Sequence, residues 1–466
     1  MKKIIALLLA AMMVIGMVAC GAKTEPEAAP EATPAPETTP EAAPEAAPEA
    51  APEAAPEAAP EATATGSVYY LNFKPEADAA WQEIAAQYTA ETGVPVKVVT
   101  AASGDYSTTL NAQMGKEGAP TLFNCGNAQG LKDWADYTLD LSDAAIVGEL
   151  ATNDFNLYDE AGALKAIGYC YESYGIIVNT ELLEKAGYTL ADITNFETLK
   201  AVAEDITARS EELGFAAFSA PGLDGSSSWR FSGHLTNMPL FYEFRDNGVT
   251  EQPAELTGAY VENFKNIWDL YINNTTVEDL STLPASTGDE STAQFKAGQA
   301  VFYQNGTWEY AGLVEAGMDP AKLAMIPIYC GVEGEENSAL CNGTENCWAV
   351  NSQASEEDIQ ATLDFIYWMA SSEAGTAMMV EQFGAIPFKN APASQNVFIA
   401  QNAEMVNAGK YSVTWAFLLT PNTDSWRAGV VTALAAYSAD QTDANWELVR
   451  SAIVDGWAIE YAMQNG

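Results

Sequence analysis

The stretch Ala166-Ile-Gly-Tyr-Cys-Tyr-Glu-Ser-Tyr-Gly-Ile-Ile-Val-Asn179 decides how the rest of the chain is read. Both of its ends are rich in aromatic and β-branched residues, the composition of strands. Between them stands one carboxylate, Glu172, among Tyr169, Tyr171 and Tyr174. A charge in an apolar strand is costly to bury without a partner. A solvent-facing edge strand is the plain explanation. The sharper one is a carboxylate facing a cleft where the chain passes from one lobe to another, and the flanking sequence favours it.

Upstream, Ser67-Val-Tyr-Tyr-Leu-Asn-Phe73 reads as a strand, followed by a helix over 77–89 with apolar residues at helical spacing (Ala80, Trp81, Ile84, Ala85, Tyr88). Val94 to Thr100 is a second strand, 106–114 a second helix, and Ala119 to Asn124 a third, short strand. Strands alternating with helices predict a parallel α/β sheet, whose ligands sit beyond the carboxyl ends of the strands. That rule places Asn72, Lys74, Asn124 and Asn127 on a functional rim. Downstream, Ala324 to Tyr329 reads as a strand returning to the first lobe, and Gly384-Ala-Ile-Pro387 as a further crossing. Hinges are expected near Ser173-Tyr174, Pro327 and Gly384–Pro387.

The chain has 466 residues and a net charge of −44. Residues 1–20 read as an export signal: Lys2 and Lys3, an apolar run from Ile4 to Val18, and Met17-Val-Ala-Cys20 at the cleavage point. The run is shorter than the roughly 20 residues of a spanning helix. Residues 21–65 repeat Pro-Glu-Ala-Ala, with Pro too frequent for helix and little apolar bulk to bury, and read as a disordered tether. The remaining 400 or so residues suffice for two lobes with their own cores. Their acidity argues against nucleic acid and anionic lipid surfaces as partners. Cys125, Cys170, Cys330, Cys341 and Cys347 remain beside Cys20, and their pairing stays open. His234 is the only histidine and no Cys-x-x-Cys occurs, which argues against a zinc site. No cofactor motif is present.

Several segments resemble a known family. Glu91-Thr-Gly-Val-Pro-Val-Lys-Val-Val-Thr100, Tyr174-Gly-Ile-Ile-Val-Asn-Thr-Glu-Leu-Leu183, Phe295-Lys-Ala-Gly-Gln-Ala-Val-Phe302 and Asn305-Gly-Thr-Trp308 look like the extracellular solute-binding proteins of bacterial ABC importers. The closest likeness is to the carbohydrate-binding branch that includes maltose-binding protein, and it covers residues 66–466. The resemblance implies an α/β, two-lobe periplasmic-binding-protein-like fold (type II) with crossing hinge strands. The lobes are expected at 66–173 plus 327–384 and at 174–326 plus 385–466. It further implies binding without catalysis, delivery to a membrane permease, and lipid on Cys20 anchoring the protein to the outer face of the cytoplasmic membrane. Glu172 matches the family's cleft glutamate on the first crossing strand, and Trp308 a tryptophan that stacks on a sugar ring. Trp426-Arg427 resembles another pair in that cleft. The acidic and basic sugar contacts that the family carries after its third strand are absent, and Cys125-Gly-Asn127 stands in their place.

These residue types suit a sugar. Flat rings cover the C–H face of a pyranose, while carboxylates, amides, Arg and Lys meet its hydroxyl rim. Micromolar affinity corresponds to about 8 kcal/mol, more than a handful of hydrogen bonds of roughly 0.5–1.5 kcal/mol each supplies. Stacked rings from both lobes are therefore expected. Candidate contacts are Glu172, Trp308, Trp229, Trp426, Arg427, Asn127, Lys74, Asn305, Trp348 and Tyr171. A non-sugar solute (peptide, polyamine or polyol), a secreted glycosidase with Glu172 as one of its carboxylates, and a surface adhesin remain as alternatives.

Overall fold

The computed structural model describes residues 66–102 and 104–466. The expected export signal, Cys20 and the Pro/Glu/Ala segment lie outside them. Two mixed sheets organise the chain. The first takes β1 (Val68–Asn72), β2 (Val96–Thr100), β3 (Leu122–Asn124), β4 (Leu157–Tyr158) and β5 (Leu164–Gly168), joined by β11 (Cys347–Val350) from late in the sequence. Its order is β2-β1-β3-β11-β5-β4, with β1, β2 and β3 parallel and β11 antiparallel to β3 and β5. The helix Asp78–Thr92 lies between β1 and β2 and buries Trp81, Ile84, Ala85 and Tyr88 on one stripe. Gly93 ends it in the left-handed region at φ 74°, where a side chain would be strained.

The second sheet is built on β6 (Glu172–Asn179), buried along nearly its whole length. On either side of β6 run β8 (Ala300–Gly306) and β10 (Ser338–Gly343), both antiparallel to it; β9 (Leu323–Ile326) also pairs with it. β7 (Ala216–Phe218) and β12 (Tyr411–Thr414) complete the sheet. Pairing on both edges and packing on both faces explain the unbroken apolar run Ile176-Ile177-Val178. Side chains this buried each contribute about 1.5–3 kcal/mol.

The chain passes between the sheets at three adjacent places. Residues 169–171 link β5 to β6, and 344–346 link β10 to β11. The segment after Phe388 leads to the helix Val397–Asn407. These crossings are tied together: Tyr169 N donates to Asn346 O (2.9 Å), Tyr171 N to Ala385 O (3.0 Å) and Thr344 Oγ1 to Cys170 O (2.7 Å). The return expected at Pro327 is corrected, because β9 and β10 both pair with β6 and the chain leaves the second sheet only after Gly343. Residues 385–388 likewise stay with the first half, since Phe388 bridges to Leu150 and Lys389 N donates to Glu149 O. All five cysteines of the described residues are buried and unpaired. No helix among those residues is long and apolar enough to cross a membrane.

Candidate ligand-binding cleft

The carboxyl ends of β1 and β3 meet the ends of β8, β10 and β12 around a cleft of about 1090 Å³. Phe73, Lys74, Glu76, Tyr106, Asn124 and Asn127 come from the first half. Trp229, His234, Trp308, Trp415, Phe417 and Arg427 come from the second, Glu172 from the first residue of β6 and Glu345 from a crossing segment. The halves touch across the mouth, where Ser107 Oγ meets Asp424 Oδ2 (3.1 Å) and Gln464 Nε2 donates to Gln129 Oε1 (2.6 Å).

At the back of the cleft, Lys74 Nζ lies 2.5 Å from Glu172 Oε1, and Asn346 Nδ2 donates to Glu172 Oε2 at 2.7 Å. Burial alone would lower the Lys74 ammonium, but the Glu172 charge beside it outweighs that and holds it above its ordinary range. Asn72 shapes the turn that delivers Lys74, donating to Lys74 O (2.8 Å) and accepting from Lys74 N (3.1 Å). The ammonium also stands 5.5 Å from the Trp308 ring centre and 5.7 Å from that of Phe73, within cation–π range.

Two strand ends share one design. β8 closes on Asn305-Gly-Thr-Trp308 and β10 on Asn342-Gly-Thr-Glu345. Opposite β6, Gly306 pairs with Tyr174 and Gly343 with Glu172. Each glycine is a shelf for an indole: a Cβ on Gly306 would stand 2.2 Å from the Trp308 ring, and one on Gly343 2.5 Å from that of Trp415. Any side chain at either position would push a ring out of place.

His234 occupies the centre of the aromatic wall. A π-helical turn, Arg230–Leu235, brings it there. Its ring lies parallel to Tyr174 at 4.1 Å, with Trp229 at 5.0 Å, Phe417 at 5.4 Å, Trp308 at 5.5 Å and Trp415 at 5.7 Å. Burial, reinforced by the Arg427, Lys74 and Arg230 charges, holds the imidazole well below its ordinary value, so it is neutral. His234 Nδ1 and Trp415 Nε1 are buried without a protein partner. Arg230 fastens this turn to β8 and its neighbours, donating to Gln304 O (3.2 Å), Ser227 Oγ (2.7 Å) and Ser291 Oγ (2.9 Å).

Of the ten candidate contacts, the structure brings Lys74, Asn127, Glu172, Trp229, Trp308 and Arg427 to the cleft, where Asn124 of the expected rim joins them. Asn127 also caps the helix Ala128–Asp133 by accepting from Gly130 N (2.8 Å). The other four lie away from it. Trp348 stacks on Tyr169 (4.4 Å) beside Trp81 in the first core. Trp426 packs edge-on against Trp457 and donates to Ile453 O (3.1 Å). Asn305 turns to Tyr303 and Glu309 (2.9 Å to the latter), and Tyr171 stacks on Phe155 at 5.0 Å outside the cleft. His234, Glu345, Trp415, Phe417 and Asp424 were not singled out. The repeated Asn-Gly-Thr was the signal that would have led to Glu345. No group of three or more His, Cys, Asp or Glu among the described residues is arranged to hold a metal ion.

Two α/β halves, linked by three crossing segments and facing each other across a polar, aromatic cleft, define a two-lobe binding protein. The chain belongs to the bacterial extracellular solute-binding proteins, whose family model matches residues 83–444. Solved structures share the fold at low identity. RafE in complex with raffinose has a TM-score of 0.68 at 16% identity, over 85% of this chain and 100% of that one. A sugar transporter protein from Bacillus licheniformis in complex with stachyose gives 0.63 at 16%, over 84% and 100%. The GacH receptor of Streptomyces glaucescens, studied unliganded and with acarbose, gives 0.62 at 19%, over 85% and 99%. Comparison with curated proteins yields no match.

Proposed function

We propose that this protein captures a carbohydrate, an oligosaccharide, in the cleft between its lobes and delivers it to the permease of an ABC importer. The observation that carries the reading is the pairing of Trp229, Trp308 and Trp415 with Glu172, Glu345 and Arg427 around one cavity of about 1090 Å³. Indole faces suit the C–H side of sugar rings, and charged groups suit the hydroxyl rim. The volume exceeds what a single ring needs. The raffinose, stachyose and acarbose complexes of proteins with this fold support the same choice. A solute that touches both lobes favours the form in which they meet, by its differential affinity for that form. Lipid on Cys20, with residues 21–65 as a tether, would keep the protein at the outer face of the cytoplasmic membrane beside its permease. It binds without turnover and needs no cofactor.

The test is calorimetric titration against neutral di- to tetrasaccharides, with a polyamine panel alongside. One-site binding in the micromolar range by a sugar supports the reading. Binding by a polyamine alone, or new reducing ends after incubation, overturns it.

A further inference from the structure

One bridge across the mouth of the cleft is fixed in direction from both of its ends. Gln464, in the last turn of the helix Asp443–Asn465, donates from Nε2 to Gln129 Oε1 of the first half (2.6 Å). A side-chain amide can turn over, which exchanges its donor for its acceptor. Here neither can. Gln464 Oε1 accepts from the backbone N–H of Asn422 (2.8 Å), a group that only donates. Gln129 Nε2 donates to Asp133 Oδ1 (2.6 Å), and an ionised carboxylate only accepts. Reversing either amide would set donor against donor or acceptor against acceptor. The other hydrogen of Gln464 Nε2 goes to Gln252 Oε1 (3.1 Å) within its own half.

Asn422 is held in the one conformation that aims its N–H this way. It is the only non-glycine among the described residues with a positive φ, at φ 38° and ψ 55°. That region is unfavourable for L-residues and least so for Gly and Asn. The Asn422 side chain is tied to Glu460 O (3.2 Å) and Glu460 Oε2 (3.0 Å), one turn before Gln464 on the same helix. Backbone strain fixed by its surroundings in this manner gathers where function requires it. Beside this bridge the halves meet again, where Ser107 reaches Asp424 and where a Cβ on Gly104 would stand 3.1 Å from Gly225 O. Gln464 itself stands outside the cavity lining.

A contact made only when the halves meet stabilises that form alone. We propose that Gln464 is a positioning residue for solute capture, a clasp that joins the halves without touching the solute and slows its release. The proposal rests on the reading of sugar capture between the lobes and adds to it the residue that sets the length of stay.

The test uses the full protein with raffinose and stachyose as probes, in calorimetry and stopped-flow tryptophan fluorescence. Gln464→Glu keeps an oxygen for Asn422 N–H but loses the donor to Gln129. It should bind three- to tenfold more weakly, equivalent to about 0.7–1.4 kcal/mol. The loss should fall in the dissociation rate, with association changed less than twofold and the urea midpoint kept. Adding Gln129→Lys rebuilds the bridge as an ion pair and should bring affinity back to within twofold of wild type. A dissociation rate unmoved by Gln464→Glu, or a loss that the double variant does not recover, overturns the proposal and leaves the carbohydrate reading intact. If neither sugar binds, the carbohydrate reading is what fails, and small-angle scattering of the sugar-free protein decides the clasp. Gln464→Glu should then raise the radius of gyration and the double variant restore it; an unchanged radius overturns the clasp as well.

Discussion

Replacing Lys74 by Met separates the buried pair at the back of the cleft. Lys74 and Glu172 are only 6% and 5% exposed, so neither charge has much water to fall back on. With the ammonium gone, the Glu172 carboxylate keeps one strong donor, Asn346 Nδ2 at 2.7 Å. Breaking one side of a buried pair costs about 3–5 kcal/mol, most of it the penalty of the stranded charge. Unfolding entropy near 2.1 cal/mol/K per residue gives about 0.8 kcal/mol/K for roughly 400 folded residues, so the midpoint should fall by about 4–6 °C. Removing both charges, as in Lys74→Met with Glu172→Leu, should recover much of the loss, since two apolar groups of similar size leave nothing unpaired. Urea and thermal unfolding of wild type, both single variants and the double variant close the cycle. A Lys74→Met loss under about 1 kcal/mol, or a double variant as unstable as the two singles combined, would refute the reasoning.

Three further outcomes are expected. Gly306→Ala should displace the Trp308 ring, which a Cβ would meet at 2.2 Å, and weaken sugar binding at least tenfold with a small loss of stability; calorimetry on a well-folded variant checks this. Trp229→Ala and Trp308→Ala should each cost about 1–3 kcal/mol of affinity, since truncating a buried aromatic anchor is the most damaging change at a binding surface; unchanged titrations would contradict their placement as stacking rings. Burial holds the Glu345 carboxyl up at about 7 against an ordinary value of 4.5. A carboxyl raised in the folded state binds more protons there than in the unfolded chain, so its contribution to stability falls as pH rises from about 4.5 through 7. Glu345→Gln should therefore gain stability relative to wild type between pH 5 and pH 8, a difference that urea unfolding at four pH values reads directly. A difference that is flat or opposite in sign counts against the burial of that carboxyl.

The alternation of the first half was legible because each element carries its own punctuation. Pro75 and Gly93 bracket the helix whose face holds Trp81 and Tyr88, and β1, β2 and β3 fall where the β-branched runs place them. The crossing at Glu172 could be read from one charge inside an apolar run, but its partner could not. Lys74 is 98 residues away, and nothing local joins the two. Sheet membership was equally hidden. β9 and β10 are extended in any sheet, so the sequence alone points to a return at Pro327, whereas the chain crosses after Gly343.

The tryptophans divide by register. Trp426 shares a helix face with Val430, Ala433, Leu434 and Tyr437, all buried, and that spacing was available in the sequence. Arg427, one residue on, points about 100° away and reaches the cleft. Trp348 is held in the core by a strand buried on both faces, where alternation gives no warning. His234 sits on a π-helical turn, whose period matches no pattern used to read helices.

The most direct measurement is tryptophan fluorescence of the protein titrated with neutral oligosaccharides, because Trp229, Trp308 and Trp415 all line the cleft. A saturable change with one site per molecule in the wild type, lost or weakened at least tenfold in Trp308→Ala, is the expected result. A panel of neutral sugars that leaves the wild-type emission unmoved, or moves it equally in the variant, would contradict sugar capture between the lobes.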